Sequence, residues 1–153
     1  MAMRWAIPAD YVELGKVMYD AVRNGPSAYS VAQRQAWVPA PRDGPDWQAR
    51  LSGQDIRLSE DGGEITGFVS LMPDGYVDFA YIRPAMQGKG LFRKLYMKIE
   101  IRAQERGFTH LTTHASLMAQ PAFAAVGFKV VQHEEVQIRG EVFKRVKMEK
   151  RVD

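Results

Sequence analysis

One stretch of the sequence, residues 77–95, constrains the fold and the ligand more than any other. It contains nearly all of the apolar run Tyr76–Ile82, which predicts a strand. Pro84 ends that strand, because proline has no N–H group to donate to a ladder. A glycine loop, Gln87–Gly90, comes next. Apolar residues at i+4 spacing then predict an amphipathic helix from about position 90 to position 106.

The loop has the properties of an anion-binding site. Gly88 and Gly90 carry no Cβ, so backbone N–H groups lie open to a ligand, and the helix directs its positive N-terminus to the same place. One cation lies within the loop and two follow it closely: Lys89, Arg93 and Lys94. A glycine pair also occurs in plain strand-to-helix turns, and this loop is neither a Walker A loop nor a dinucleotide fingerprint. The flanking elements and the cations favour a phosphate or diphosphate ligand.

The remaining pattern predicts one mixed sheet. Turn signals at 60–63 and 73–75 join three strands into an antiparallel meander. A strand, a helix and a further strand then indicate a parallel crossover in the middle of the chain. The predicted strands are Met3–Pro8, Asp55–Ser59, Glu64–Leu71, Tyr76–Ile82, His110–His114, Phe128–Ile138 and Glu141–Glu149. The expected fold class is α/β (α+β): a mixed, mostly antiparallel sheet of six to seven strands with helices on both faces.

Caps and breakers predict the other helices. A capping box formed by Asp10 and Glu13 opens the first helix. A second box, Ser30 and Gln33, opens a short helix that ends near Trp37. Two more short helices are expected at about 46–51 and 118–126.

Composition bounds the class of protein. A chain of 153 residues, 46% hydrophobic and 25% charged, is expected to form a single domain, residues 1–153. The net charge of +3 is too small for a nucleic-acid-binding protein, and no long apolar run predicts a membrane span. The lack of cysteine excludes thiolate chemistry, and three histidines without a paired spacing indicate no metal site. The simplest expected location is cytoplasmic.

The glycine loop resembles the cofactor motif of the GNAT superfamily of N-acetyltransferases. In that motif an aliphatic residue and a proline precede Gln/Arg-X-X-Gly-X-Gly/Ala at the start of a helix. The residues on those positions are Ile82, Pro84, Gln87, Gly90 and Phe92. A second stretch, residues 114–128, is similar to the strand end, short helix and Gly-Phe of the same family. The order of the predicted elements resembles the family along the whole chain.

This resemblance implies an acyltransferase that uses acetyl-CoA. Loop amides would bind the diphosphate, the strand backbone would pair with the pantetheine arm, and two downstream side chains would lie beside the pantetheine and the thiol. The implied cofactor residues are Gln87, Gly88, Lys89, Gly90, Leu91 and Phe92 in the loop, Ala80, Tyr81 and Ile82 in the strand, and Ser116 and Phe123 downstream. Family members are often dimers through their last strands, so the resemblance allows a homodimer.

Three of these positions depart from the family pattern. Phe92 replaces the last glycine or alanine of the loop motif, and Ser116 replaces a frequent asparagine. Phe123 stands where many members carry the tyrosine that protonates the leaving thiolate. The proton must then come from another group or from solvent.

Polar residues near the crossover are the candidates for acid–base chemistry. Asp78 and His114 are the candidate general bases, and Tyr81 and Tyr76 are the candidate proton donors. Structural roles are the alternatives, with Asp78 as a solvent-facing or capped carboxylate and His114 as a hydrogen-bonding residue.

An aromatic set precedes the meander, in the region where the family usually builds its acceptor pocket. Its members are Tyr29, Trp37 and Trp47. A minor core under short helices is the alternative for the tryptophans. Asp43 and Asp46 could attract a cationic amine, or they could act as turn and cap residues.

These expectations describe an N-acetyltransferase that transfers the acetyl group of acetyl-CoA to a primary amine of a small molecule or peptide by direct attack. The alternative, which Phe123 favours, is a catalytically weak CoA- or acyl-CoA-binding sensor or interaction module. A third hypothesis is a different phosphorylated ligand on the same loop.

Overall fold

Seven strands form one mixed sheet in the computed structural model, which describes all residues from Met1 to Asp153. The strands are β1 (Ala2–Trp5), β2 (Asp55–Asp61), β3 (Glu64–Leu71), β4 (Tyr76–Ile82), β5 (His110–Ser116), β6 (Lys129–Ile138) and β7 (Glu141–Arg151). Their order across the sheet is β1-β2-β3-β4-β5-β7-β6, and only the β4–β5 pair is parallel. The predicted fold class is confirmed.

Five α-helices accompany the sheet. They are α1 (Tyr11–Asn24), α2 (Val31–Trp37), α3 (Pro45–Ser52), α4 (Leu91–Glu105) and α5 (Gln120–Ala125). The crossover from β4 to β5 is α4, whose side chains Leu95, Tyr96 and Ile99 are completely buried. Burial of one such side chain contributes about 1.5–3 kcal/mol, so this face fixes α4, and the loop before it, to the sheet. None of these helices combines the length and the apolarity that crossing a membrane requires.

The sheet separates two hydrophobic cores. Side chains of α4 and α5 pack with β3, β4, β5 and β7 in the first core. Side chains of α1 and α3 pack with β2, β3 and β4 in the second core. Because β4 contributes to both cores, its side chains are distributed over the two faces of the sheet.

The parallel pair is short. β4 and β5 pair only through Tyr76 with Thr112 and Val77 with Thr113. The Thr113 hydroxyl donates to the Val77 carbonyl oxygen at 2.9 Å and so ends the ladder. Beyond this point the two strands have no paired residues, and one edge of β4 is left open toward β5.

A β-bulge interrupts β4 just after the ladder ends. Val69 pairs with Ala80 and Leu71 with Val77, so β4 contains one residue more than β3 in this interval. The Phe79 N–H donates to the buried Ser70 hydroxyl at 2.9 Å. The bulge shifts the alternation of β4 side chains between the two faces of the sheet. Bulges often change the direction of side chains next to functional sites.

One capping box is confirmed and the other is wrong. Ser30 accepts from the Gln33 N–H at 3.1 Å, and the Gln33 side chain accepts from the Ser30 N–H at 2.7 Å. The Asp10 carboxylate makes no cap bond to α1. It binds Arg4 of β1 in a bidentate pair at 2.8 Å and also accepts from the Ile7 N–H, because a guanidinium is a stronger partner than a backbone amide.

Candidate functional site

A cleft opens where β4 and β5 separate, and it contains several cavities. The largest, which we call the loop groove, has a volume of about 350 Å³. Its walls come from the end of β4, the glycine loop, the start of α4 and residues 116–123. The sequence-predicted cofactor residues lining it are Ala80, Tyr81, Ile82, Gln87, Gly88, Gly90, Leu91, Phe92, Ser116 and Phe123.

A second cavity, the arginine pocket, has a volume of about 160 Å³ and contains the guanidinium side chains Arg42, Arg50 and Arg145. A junction cavity of about 50 Å³ adjoins both. Trp37, Tyr81 and Ser116 line all three cavities. The shared walls bring a molecule in the loop groove next to a molecule in the arginine pocket.

The glycine loop, part of which lines the groove, contains a run of free backbone amides. Gly88 and Gly90 have φ values of 76° and 75°, a left-handed conformation that favours glycine. The backbone N–H groups of residues 88–93 have no hydrogen-bond partner within the protein. Six consecutive free donors at a helix N-terminus suit an anion with several oxygen atoms.

The surroundings of the loop match that ligand. Lys89, Arg93 and Lys94 form no ion pair with any carboxylate of the chain, so their charges remain available. The Gln87 side chain donates to the Ile82 carbonyl oxygen at 3.0 Å and closes the end of β4. The loop is therefore a cationic segment that the Gln87 hydrogen bond ties to the end of β4.

Phe92 and Phe123, the two departures from the family motif, are in contact. Their ring centroids lie 5.1 Å apart in an edge-to-face arrangement, and Phe123 packs in the same way against Phe128. Phe92 also stacks on Tyr96. The ring of Phe123 is 2% exposed, so this position provides an apolar wall and no proton.

Asp78 is neutralised by Arg50. The Asp78 carboxylate receives two hydrogen bonds from Arg50, at 2.7 and 2.9 Å, and one from Gln54 at 2.7 Å. Its side chain is 4% exposed. These contacts favour the alternative role for Asp78, a structural ion pair with Arg50.

His114 forms the centre of a polar chain. Its Nδ1 lies 2.7 Å from the Tyr76 hydroxyl, and its Nε2 lies 3.4 Å from a carboxylate oxygen of Glu134. Burial lowers the pKa of His114 below 6.5, and the neighbouring Arg145 lowers it further. Burial also raises the pKa of Tyr76. At neutral pH the chain therefore contains a neutral imidazole beside a protonated phenol.

Tyr81 and Ser116 lie where the cavities meet. The Tyr81 hydroxyl makes no hydrogen bond within the protein, and burial raises its pKa far above the ordinary value, so it stays protonated. The Ser116 Oγ accepts from the Ala119 N–H at 3.1 Å, which leaves the hydroxyl proton free to donate. Both groups can offer a proton to a ligand atom at the junction.

The three aromatic candidates for acceptor binding have different positions. Tyr29 and Trp37 line the arginine pocket, and their rings lie 5.8 Å apart. Trp47 does not line any of the three cavities. It is 3% exposed, packs on Phe79 and donates to the Tyr11 carbonyl oxygen at 2.7 Å. Trp47 is thus a core residue, because α3 turns its indole inward against α1.

The two aspartates at the start of α3 and just before it, Asp43 and Asp46, do not line the cavities either. Asp43 accepts from the Gly44 N–H at 2.7 Å, and Asp46 lies in the first turn of α3. Sequence reasoning missed the charged residues that do line or support the arginine pocket: Arg42, Arg50, Glu134 and Arg145. They come from separate elements, and no local pattern connects them.

Comparison with known proteins identifies the family. The family model described as "Acetyltransferase (GNAT) domain" matches residues 28–152. The crystal structure of a GCN5-related N-acetyltransferase from Rhodopseudomonas palustris is similar over 98% of this chain and 94% of that chain, with 30% identity and a TM-score of 0.90. A comparison with curated proteins found no match.

Two structures that were solved with acetyl-CoA share the fold at lower identity. YncA from Salmonella typhimurium is 24% identical, with a TM-score of 0.70 over 100% of this chain and 94% of that chain. A phosphinothricin acetyltransferase from Sinorhizobium meliloti is 17% identical, with a TM-score of 0.71 over 99% of this chain and 88% of that chain. The predicted family and enzyme class are confirmed, and acetyl-CoA fits as the cosubstrate. This chain belongs to the GNAT family of acetyltransferases.

Proposed function

We propose that this protein transfers the acetyl group of acetyl-CoA to a primary amine of a small molecule or peptide, by direct attack of the amine on the thioester. The observation that carries the proposal is the junction between the loop groove and the arginine pocket, lined by Trp37, Tyr81 and Ser116. An acyl donor in one cavity and an amine in the other would meet there, and holding reactants together lowers the barrier.

The loop groove has the features that acetyl-CoA requires. The free amides of residues 88–93, with the positive end of α4, would hold the diphosphate. The open edge of β4 from Ala80 to Ile82 would pair with the pantetheine amides as an added strand does. Bound in this way, acetyl-CoA supplies an activated acetyl thioester at the junction.

Tyr76 and His114 would remove a proton from the ammonium form of the acceptor, which leaves a neutral amine that can attack. The Tyr76 oxygen accepts a proton from the ammonium group while its own proton passes to His114 Nδ1 across 2.7 Å. The neutral imidazole is prepared for this step, because its pKa is below the ordinary value. Glu134, next to Nε2, favours the tautomer that leaves Nδ1 free to accept.

Tyr81 would donate a proton to the leaving thiolate of CoA. As the new C–N bond forms, the C–S bond breaks and the thiolate needs a proton that Phe123 cannot supply. The Tyr81 hydroxyl is protonated, has no protein partner and faces the junction. Tyr81 therefore takes the role that the family gives to the tyrosine at position 123.

The test is acceptor-dependent release of CoA. Purified protein with acetyl-CoA is screened against amino acids, peptides, polyamines and aminoglycosides, with a thiol reagent as the readout and mass spectrometry of the products. Calorimetry with acetyl-CoA runs in parallel. Turnover with an acetylated amine as product supports the proposal. If the protein does not bind acetyl-CoA at millimolar concentration, the proposal is wrong.

A CoA- or acyl-CoA-binding sensor is the second candidate function, and the apolar ring of Phe123 favours it. In that case acetyl-CoA binds in calorimetry, but no amine in the screen increases CoA release. Phe123→Tyr separates the two functions further. Restored turnover in this variant would indicate a chain that has lost transfer, whereas a transferase that uses Tyr81 gains little.

A further inference from the structure

The arginine pocket contains one guanidinium group without a partner. Arg50 is paired with Asp78 at 2.7 Å, and Arg145 is paired with Glu134 at 3.1 Å. Arg42 forms neither an ion pair nor a hydrogen bond with any group of the chain. The charged groups of the pocket therefore leave one positive charge in excess when His114 is neutral.

This charge is partly removed from water. Arg42 is half-buried, and burial is the largest cause of its lowered pKa, to which the nearby Arg50 and Arg139 add. A desolvated guanidinium without a counter-charge is costly, and an anion placed beside it recovers that cost through charge-assisted hydrogen bonds. The pocket is thus prepared for a negative group of its ligand.

The position of Arg42 is fixed by the packing of its backbone. A Cβ at Gly15 of α1 would lie 2.0 Å from the Arg42 carbonyl oxygen, so only glycine permits this close approach. The guanidinium group lies 5.9 Å from the centre of the Trp47 ring. The contact with α1 therefore holds the backbone from which the Arg42 side chain extends to the pocket.

The rest of the pocket is small and apolar on one side. Its volume of about 160 Å³ is below the roughly 300–1,000 Å³ of pockets for drug-sized ligands. Val136, Ile138 and Phe143 form an apolar wall. The amine must still reach the junction near Tyr81. These features together describe a molecule with an amine, a nearby anion and an apolar side chain.

We propose that the acceptor is a small amino acid with an apolar side chain, whose carboxylate binds Arg42 while its amine points to the junction. This inference rests on the proposed function, because it is that function which requires the acceptor to carry an amine. A phosphonate or sulfonate in place of the carboxylate offers the same chemistry. A polyamine or an aminoglycoside does not, because its additional positive charges would face Arg42.

The experiment compares matched acceptors. L-Leucine, L-methionine and L-phenylalanine are each assayed beside the corresponding amide and the decarboxylated amine. We expect kcat/KM to be roughly 100-fold higher for the acid than for the amide. This is the factor expected from one charge-assisted hydrogen bond between the carboxylate and Arg42. The amide has the less basic amine, so more of it is neutral, and its reactivity alone would favour the opposite order.

Arg42→Gln tests the residue. It should lower kcat/KM for the acids roughly 100-fold, mainly through KM, and change the amides little. Arg42→Lys should recover part of the loss, because it keeps the charge. Arg151→Gln is the control, since it removes the charge of an exposed arginine that pairs only with Asp153 and lines none of the three cavities. The dissociation constant for acetyl-CoA should stay unchanged in all three variants.

Equal turnover of acids and amides, or an equal loss for both in Arg42→Gln, would overturn the proposal. A second readout is independent of catalysis: calorimetric titration of the CoA complex with N-acetyl-leucine and with N-acetyl-leucinamide. Binding of the acid alone supports the anion site even if no acetyl group is transferred, in which case only the proposed transfer fails. Binding of neither compound overturns the inference.

Discussion

The loop groove and the arginine pocket meet at one junction but are built in opposite ways. The anion site of the groove consists of consecutive backbone amides, residues 88–93, from a single turn of the chain. The pocket consists of side chains from distant parts of the sequence. Arg50 and Asp78 are 28 residues apart, and Tyr76 and His114 are 38 residues apart.

Because of this difference, the backbone site should tolerate substitutions and the side-chain pocket should not. Every non-proline residue has an N–H group, whatever its side chain, so a backbone site survives a change such as Phe92 for glycine or alanine. A side-chain pocket changes its ligand when one residue changes. Under the proposed function, the groove would carry the cofactor chemistry common to the family, and the pocket would set the acceptor specificity of this chain.

The largest effect is expected at Gly90. In Gly90→Asp a carboxylate would face the diphosphate, and we expect acetyl-CoA to bind roughly 1,000-fold more weakly. Gly62→Asp is a matched control, because Gly62 also has a positive φ, 59°, and free space around it, but lies in the β2–β3 hairpin. Calorimetry measures both. Normal binding by Gly90→Asp would place the diphosphate elsewhere.

The next effect concerns the junction. Tyr81→Phe should lower kcat roughly 100-fold, because a positioned acid contributes at least this much, while the affinity for acetyl-CoA stays the same. Tyr19→Phe, outside the three cavities, should have no effect. If Tyr81→Phe keeps full turnover in steady-state assays, the thiolate takes its proton from solvent.

Gly15→Ala should weaken acceptor binding in the arginine pocket without changing acetyl-CoA binding in the loop groove. Its Cβ would meet the Arg42 carbonyl oxygen at 2.0 Å, so the α2–α3 connection must move, at a cost of about 2 kcal/mol in the free energy of unfolding. KM for the acceptor should rise, with an unchanged dissociation constant for acetyl-CoA. Gly53→Ala, where a Cβ meets nothing within 4 Å, is the control. Urea unfolding and steady-state kinetics measure the two effects.

The pH dependence gives the smallest effect. Protonated His114 cannot accept a proton, so kcat at saturating substrates should fall tenfold per pH unit below the folded pKa of His114. Because that pKa is lowered, the fall begins below pH 6.5 and the profile is flat above it. His114→Gln should remove the inflection, and His133→Gln should keep it. An inflection that persists in His114→Gln would assign the base to another group.

The sequence predicted the sheet, the crossover helix and the loop well, because each depends on local properties. Periodicity predicted α4 within a residue or two of its ends, and the glycine spacing located the free amides. Aromatic composition was a poorer guide to the pocket. It could not distinguish Trp37, which lines the cavities, from Trp47, which lies in the core.

Charged partners from distant elements are what the local patterns did not reveal. The Asp10 capping box fits the local pattern and is wrong, because the carboxylate binds Arg4 on β1. Asp78 stands out in an apolar strand as a candidate base, and α3 brings Arg50 onto it, so its role as a base stays a prediction. In both cases the partner comes from an element that the neighbouring sequence does not indicate.

The sequence by itself determined the kind of protein: the order of its elements, its family and the run of free backbone amides that follows β4. These follow from the conformational preferences and hydrogen-bonding groups of residues that are adjacent in the chain. Only the tertiary structure decided which guanidinium remains without a partner, which imidazole meets a phenol and where the two cavities join. Those properties depend on charge pairing and burial between residues far apart in sequence, which exist only after the sheet has assembled and the β4–β5 ladder has ended at Thr113.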